Sequence, residues 1–285
     1  MRKVLAAEDS QVFSSGEGID APLSMAEFEA LEMEYLKCGR LKTGFQQMDR
    51  LLNGLHQGKL YVIGARPSIG KSALGLQIAV NVAAQMKTVI YFSYEMGRRE
   101  IGERIVASVT GTDVREIHRM SDQAKEAFYV LDALSTLHIC NRADLDINGI
   151  IDYAKRVKAE TGALDLIVVD YLQIIPDAKD AKGKDRYLSL GDATRKLKLF
   201  SETEKLPVLA LSQMSRQSDE KNPKMSELRE SGNIEQDADV IMLLSRPEKG
   251  EAAKLLIDKS RYSATGYINM RYKGEFLRFE EVNTP

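Results

Sequence analysis

Only two cysteines occur in 285 residues, Cys38 and Cys140, far apart and at no metal-ligand spacing. That scarcity excludes a disulfide framework and a thiolate metal site, and implies a reducing compartment with inert thiols. No run of about eighteen apolar residues is present, so no membrane-spanning helix is expected. The first residues, MRKVLAAEDSQVFSSGEG, carry charges where a secretory signal needs an apolar core, which makes the cytoplasm the expected location. An excess of charge of one sign is also missing: 40 Lys and Arg stand against 42 Asp and Glu, a formal net charge of −2. This excludes a uniformly basic coat but allows a local basic channel, leaving nucleic acid open as a partner. Neither an internal repeat nor a low-complexity segment interrupts the chain. What remains, 44% hydrophobic and 29% charged residues, is enough to bury a real core.

The most informative stretch is residues 59–73, KLYVIGARPSIGKSA, an apolar strand that runs into a Gly-rich turn and then a helix. It fits the looser phosphate-loop pattern [A/G]-x-x-x-x-G-K-[S/T], with Ala65 where the strict form has Gly and Gly64 one residue earlier. Ala65, Arg66, Pro67, Ser68, Ile69, Gly70, Lys71, Ser72 and Ala73 are thus the candidate nucleotide-binding residues. The amides from about Ser68 to Ser72 would converge on one anion, helped by the positive end of the following helix. Gly70 would allow close approach, Lys71 would reach the β/γ oxygens of ATP, and the Ser72 hydroxyl would complete the shell of a Mg²⁺ ion.

Residues 1–23 are expected to be a disordered lead. In the segment 24–38, Ser24 and Glu27 form a capping-box pattern, and Met25, Phe28, Leu31 and Tyr35 follow at helical spacing. The resulting helix, 24–37, has an apolar stripe for its own domain or for a neighbouring subunit. From residue 59 strands and helices alternate: strand 59–64, helix 71–86, strand 88–93, helices 98–109 and 121–134, strand 136–140, helix 146–161, strand 164–170, helix 185–204 and strand 206–212. This order predicts an α/β fold with a mostly parallel sheet, helices on both faces, and ligands at the carboxyl ends of the strands. The C-terminal segments DVIMLLS, AKLLIDKSR, GYINMRY and EFLRFEE are read as strands whose hairpins extend that sheet.

Four strand ends carry the polar residues that phosphoryl transfer needs. LDLIVVDYLQI ends in Asp170, a carboxylate suited to hold Mg²⁺. VIYFSYEM places Glu95 where it would polarise an attacking water, or else cap the helix near Arg98. PVLALSQMSR offers Gln213 as a hydrogen-bonding sensor of the γ-phosphate. In LLIDKSRY, Lys259 and Arg261 alternate onto one side of a strand, either as an arginine finger acting on a neighbouring subunit's nucleotide or as a solvated edge pair.

Taken together, GARPSIGKS, FSYEM, VVDYLQI, LALSQMSRQ, LRESGNIEQDADVIMLL and KSRYSATG resemble the ATPase domain of the bacterial replicative helicase family, DnaB, over roughly residues 40–280. The resemblance implies a RecA-like P-loop NTPase domain, here 39–285, assembled as a hexameric ring with ATP and Mg²⁺ between subunits. It implies Glu95 as general base, Lys71 and Ser72 at the phosphates and metal, Asp170 at the metal, Gln213 as sensor, and Lys259 with Arg261 as the finger. It further implies that Arg229, Glu230 and Gly232 grip single-stranded DNA in the central channel, with 179–198 adding charge there or merely facing solvent. The expected partners are single-stranded or forked DNA, other copies of the chain, and a loader or other replication proteins. The family's N-terminal collar domain is expected to be absent, with 24–38 in the place of its linker helix. A filament-forming, recombination-type DNA-binding ATPase without unwinding activity stands as the alternative.

Overall fold

The computed structural model describes residues 24, 25, 29, 33, 40–119, 122, 127–176, 186–214, 223–228, 231–247 and 250–282. Of the segment 24–38, Met25, Glu29 and Met33 are helical, and the rest of that expected helix lies outside the described residues.

Residues 40–285 form one compact unit. A short helix α1 (Gln46–Leu52) leads to β1 (Leu60–Ala65), α2 (Lys71–Ala83), β2 (Val89–Ser93), α3 (Arg98–Thr110) and α4 (Val114–His118). Next come β3 (Leu137–Cys140), α5 (Ile147–Thr161), β4 (Leu166–Asp170), α6 (Arg186–Glu204), β5 (Val208–Gln213) and α7 (Ser231–Asp237). The chain ends with β6 (Val240–Ser245), β7 (Ala252–Ser260), β8 (Gly266–Lys273) and β9 (Arg278–Glu281). The sheet runs β3-β2-β4-β5-β1-β6-β7-β8-β9. Strands β3 to β6 in that order are parallel, and β7, β8 and β9 add antiparallel.

The continuous apolar strands follow from burial on both faces. In β1, β2, β4, β5 and β6 alternate residues join two cores: Tyr61, Ile63, Tyr91, Val168, Leu209 and Leu211 pack under α1, α2 and α3. Leu60, Val62, Phe92, Val169, Val208 and Ala210 pack under α5 and α6. Each such fully buried side chain contributes about 1.5–3 kcal/mol, so the pleat alone assigns every residue at a strand end to one layer or the other.

The C-terminal hairpins form as expected, β6 with β7, β7 with β8 and β8 with β9, and β6 in addition lies parallel to β1. Two local details differ from expectation. Where a single helix 121–134 was expected, Phe128–Leu134 is a 3-10 helix, and much of what precedes it lies outside the described residues. Helices α1 and α4 were not anticipated because each is short. Helix α1 owes its place to a distant partner: the Glu281 carboxylate accepts from the amides of Gln47 (2.9 Å) and Met48 (3.1 Å).

Candidate functional site

The loop between β1 and α2 closes one wall of a cavity of about 680 Å³ at the carboxyl ends of the parallel strands. Ligand pockets commonly have this size. Ser68 (φ 65) and Gly70 (φ 110) turn the backbone through the left-handed region. A Cβ on Gly70 would also meet the Phe279 ring at 2.8 Å, so Gly is required twice over. Gly70 is the N-cap of α2 and has no side chain to satisfy the first-turn amides, which leaves the helix end suited to an anion. Arg66, Pro67, Ser68, Gly70, Lys71, Ser72 and Ala73 line the cavity. Ala65 and Ile69 do not: both side chains are buried in the core and can contribute only backbone.

Behind the loop lies a charged pair. Lys71 Nζ donates to Asp170 Oδ1 at 2.8 Å, and Tyr91 Oη donates to the other carboxylate oxygen at 2.7 Å. Asp170 is fully buried, placed by the pleat on the same layer as Tyr91 and Val168 and therefore beneath α2. Burial pushes the Lys71 ammonium below its usual range, opposed by the Asp170 charge. Burial, reinforced by Asp170, pushes the Tyr91 phenol well above its own. The Lys71 ammonium also rests 4.4 Å from the centre of the Tyr171 ring.

Glu95 is exposed on the cavity wall just past β2. It does not cap the next helix, whose N-cap is Gly97 without side-chain bonding, so the capping alternative falls. Gln213 lines the cavity from the end of β5. Its backbone is held by Gln173, whose Oε1 accepts from Gln213 N at 3.0 Å. One cavity thus gathers Lys71, Ser72, Glu95 and Gln213, with Asp170 bonded directly behind.

Several residues escaped the sequence reading. Arg246, the first residue past β6, is buried, stacks at 4.3 Å on the Tyr272 ring and donates weakly to Ser68 O at 3.4 Å. Its Nε and Nη1 have no hydrogen-bond partner among the described residues, an uncommon cost for a buried guanidinium. Its signal was available, because it stands at a strand end just as Asp170 and Gln213 do. Tyr91 and Gln173 carried no such signal: the β2–β4 register brings Tyr91 to Asp170, and the 3-10 turn after β4 brings Gln173 to Gln213.

Lys259 and Arg261 are not brought to this cavity. Lys259 Nζ donates to Ala238 O at 2.8 Å and to Glu235 O. Arg261, in a bend beyond the end of β7 rather than within it, donates to Gln236 O and lies 3.6 Å from Asp239. Both cations cover the C-terminal end of α7, where helix carbonyls favour positive charge. Gly232 is the second residue of α7, whereas Arg229 and Glu230 lie outside the described residues. Lys198, expected to add charge to a channel, is instead buried, donating to Asp239 at 2.6 Å and to Gly58 O at 2.9 Å. The apolar flank of α6 turns it inward. Lys196 pairs with Asp192 at 3.0 Å, and residues 179–185 lie outside the described set.

A metal would find two oxygen donors here, the Ser72 hydroxyl and the Asp170 carboxylate, a hard set suited to Mg²⁺. Among the described residues no group of three or more His, Cys, Asp or Glu could hold a metal ion, so phosphate oxygens would have to supply other ligands. No helix of the described residues is long and apolar enough to cross a membrane.

Comparison with known proteins agrees with this geometry. The family model "DnaB-like helicase C terminal domain" matches residues 40–281. A probable plasmid replicative DNA helicase of Chlamydia muridarum is 33% identical over 251 residues, 85% of this chain and 55% of that protein. Replicative DNA helicase DnaB of Leifsonia xyli is 33% identical over 257 residues, 84% of this chain and 55% of that one. A solved DnaB-like replicative helicase, described with its interactions with primase, superposes with a TM-score of 0.78 at 27% identity, covering 91% of this chain and 67% of that one. The chain spans about half the length of the curated relatives it matches.

Proposed function

Because the chain belongs to the DnaB-like helicase C-terminal domain family, we propose that it is an ATP-hydrolysing motor that moves on single-stranded DNA and separates duplex strands during replication. The observation that carries this is the convergence of Lys71, Ser72, Glu95 and Gln213 on one cavity with Asp170 behind it. Family membership favours this reading over the filament-forming alternative.

In this proposal the α2 amides and Lys71 take the phosphates of ATP, and Gln213 bonds the γ-phosphate. Glu95 orients and deprotonates the attacking water. Ser72 and Asp170 would hold a Mg²⁺ ion, which when bound would supply neutralising charge for the phosphates. The Tyr272 ring, which lines the cavity beside the loop and is backed by the Arg246 guanidinium, offers a stacking wall for the remainder of the nucleotide. Lys259 and Arg261 act on the nucleotide of an adjacent copy in a ring, expected to be hexameric. Arg229, Glu230 and Gly232 contact DNA phosphates. A loader and other replication proteins are further expected partners, and the cytoplasm the expected place of action.

The test is ATP turnover and strand separation on a forked DNA, with assembly followed by light scattering and electron microscopy. Closed rings with DNA-stimulated hydrolysis and unwinding are expected. Assembled rings with neither activity would overturn the proposal, and filaments would favour the alternative.

A further inference from the structure

Strands β4 and β5 pair only at Ile167 with Val208, Val168 with Leu209 and Val169 with Ala210. Strand β5 continues to Gln213, still paired on its other side with β1, where Met214 N donates to Ala65 O at 2.9 Å. The pairing with β4 thus ends at Ala210, short of Gln213, and the part-buried Gln213 amide on that side must be satisfied by something else.

Gln173 takes that place. It stands three residues past Asp170, in the 3-10 turn Leu172–Ile174, and is buried. Its Oε1 accepts from Gln213 N at 3.0 Å, while its Nε2 donates to Ser212 Oγ at 2.9 Å and to Gln213 O at 3.3 Å. A carboxamide carries one acceptor and two donors on a rigid plane, so it imitates a peptide group and extends the ladder without a strand. Hydrophobic filling of the same space would leave Gln213 N and O unsatisfied.

We propose that Gln173 is a positioning residue for the hydrolytic reaction. It fixes the backbone of Gln213 so that the Gln213 side chain projects into the cavity, and it joins that residue to the Asp170 turn. The carboxylate side and the γ-phosphate side of the site then keep one spacing. This rests on Gln213 acting at the γ-phosphate.

The experiment compares Gln173→Leu, Gln213→Ala and the double variant in the full chain, by ATP turnover with single-stranded DNA and by amide hydrogen exchange. Gln173→Leu is expected to lower kcat by about ten- to a hundredfold, the scale of a misplaced catalytic contact, with KM for ATP changed by less than about twofold. It is expected to add no further loss to Gln213→Ala, and to speed exchange of the Gln213 amide without added nucleotide. Should Gln173→Leu misfold, Gln173→Glu keeps the acceptor for Gln213 N but sets a charge against Gln213 O, and the same kcat loss is expected in it. An impaired Gln213→Ala beside a normal Gln173 variant, or losses that multiply independently in the double variant, would overturn the proposal. Normal turnover in Gln213→Ala would instead remove Gln213 from the γ-phosphate and the positioning role with it.

Discussion

Met214 and Leu228 form an isolated antiparallel bridge. Met214 directly follows the cavity residue Gln213, and Leu228 directly precedes Arg229, the first residue of the proposed DNA-contacting segment. Leu228 also fills the space over Gly64 of β1, where an added Cβ would lie 2.4 Å from its Cδ2. The bridge thus sits one residue from the cavity on one side and one residue from the proposed DNA-contacting segment on the other, with Leu228 packed at Gly64.

Gly64→Ala should therefore destabilise by about 1–3 kcal/mol through overpacking. Truncating Leu228 to Ala in the same chain should recover part of the loss, so the two changes are less than additive. Chemical denaturation of the four proteins measures this. Strict additivity would mean that the two side chains do not compete for the space.

The Lys71–Asp170 pair, with side chains 10% and 0% exposed, gives a second expectation. Removing one partner of a buried pair strands the other charge, at about 3–5 kcal/mol. Asp170→Asn and Lys71→Met should each approach that cost, and the double variant should cost less than the sum. Equilibrium unfolding in urea decides it, and equal additive losses would count against a coupled pair.

The Tyr91 phenol is raised well above its ordinary 10.0 by burial and by Asp170. A proton bound more tightly in the folded state stabilises below the unfolded value, and that contribution is lost as pH rises through the folded one. Stability should fall above about pH 10, and Tyr91→Phe should flatten the part of that slope due to this residue. Unfolding curves of both proteins between about pH 9 and pH 11, spanning the ordinary tyrosine range, provide the comparison.

Glu95 makes no helix cap and faces the cavity. Glu95→Gln should keep ATP binding and lower turnover by at least about 100-fold, the scale of a positioned base. Nucleotide titration by fluorescence, followed by steady-state hydrolysis, separates the two effects. Near-normal turnover would take Glu95 out of that role.

Lys259 and Arg261 are bonded to the end of α7 rather than to their own subunit's cavity. Arg261→Ala should be inactive alone yet regain part of its hydrolysis when mixed with Lys71→Ala, because in the proposed ring a mixed assembly would pair an intact loop with an intact finger. Absence of recovery at every mixing ratio, with co-assembly verified, would remove the action in trans.

Much of this architecture was legible locally. The phosphate loop is a contiguous signal, and the apolar strands ending in Glu95, Asp170 and Gln213 announce a site at one edge of a parallel sheet. The C-terminal strands were legible as strands, but nothing in VIMLLS states that it lies parallel to β1. Lys198 misled because a charged residue on a helix normally faces water, whereas here Asp239 and the Gly58 carbonyl receive it indoors.

The amino-acid order by itself determined the strands, most of the helices and the phosphate-loop pattern between β1 and α2, because those properties depend on neighbours a few residues apart. Tertiary structure decided the partners. Lys71 meets Asp170 across 99 residues, Gln173 meets Gln213 across 40, and Arg246 reaches Ser68 across 178. Such pairings are fixed by strand order and by the turns that leave the strand ends, and a one-residue shift in register would turn the strand residues among them, Asp170 and Gln213, to the opposite layer.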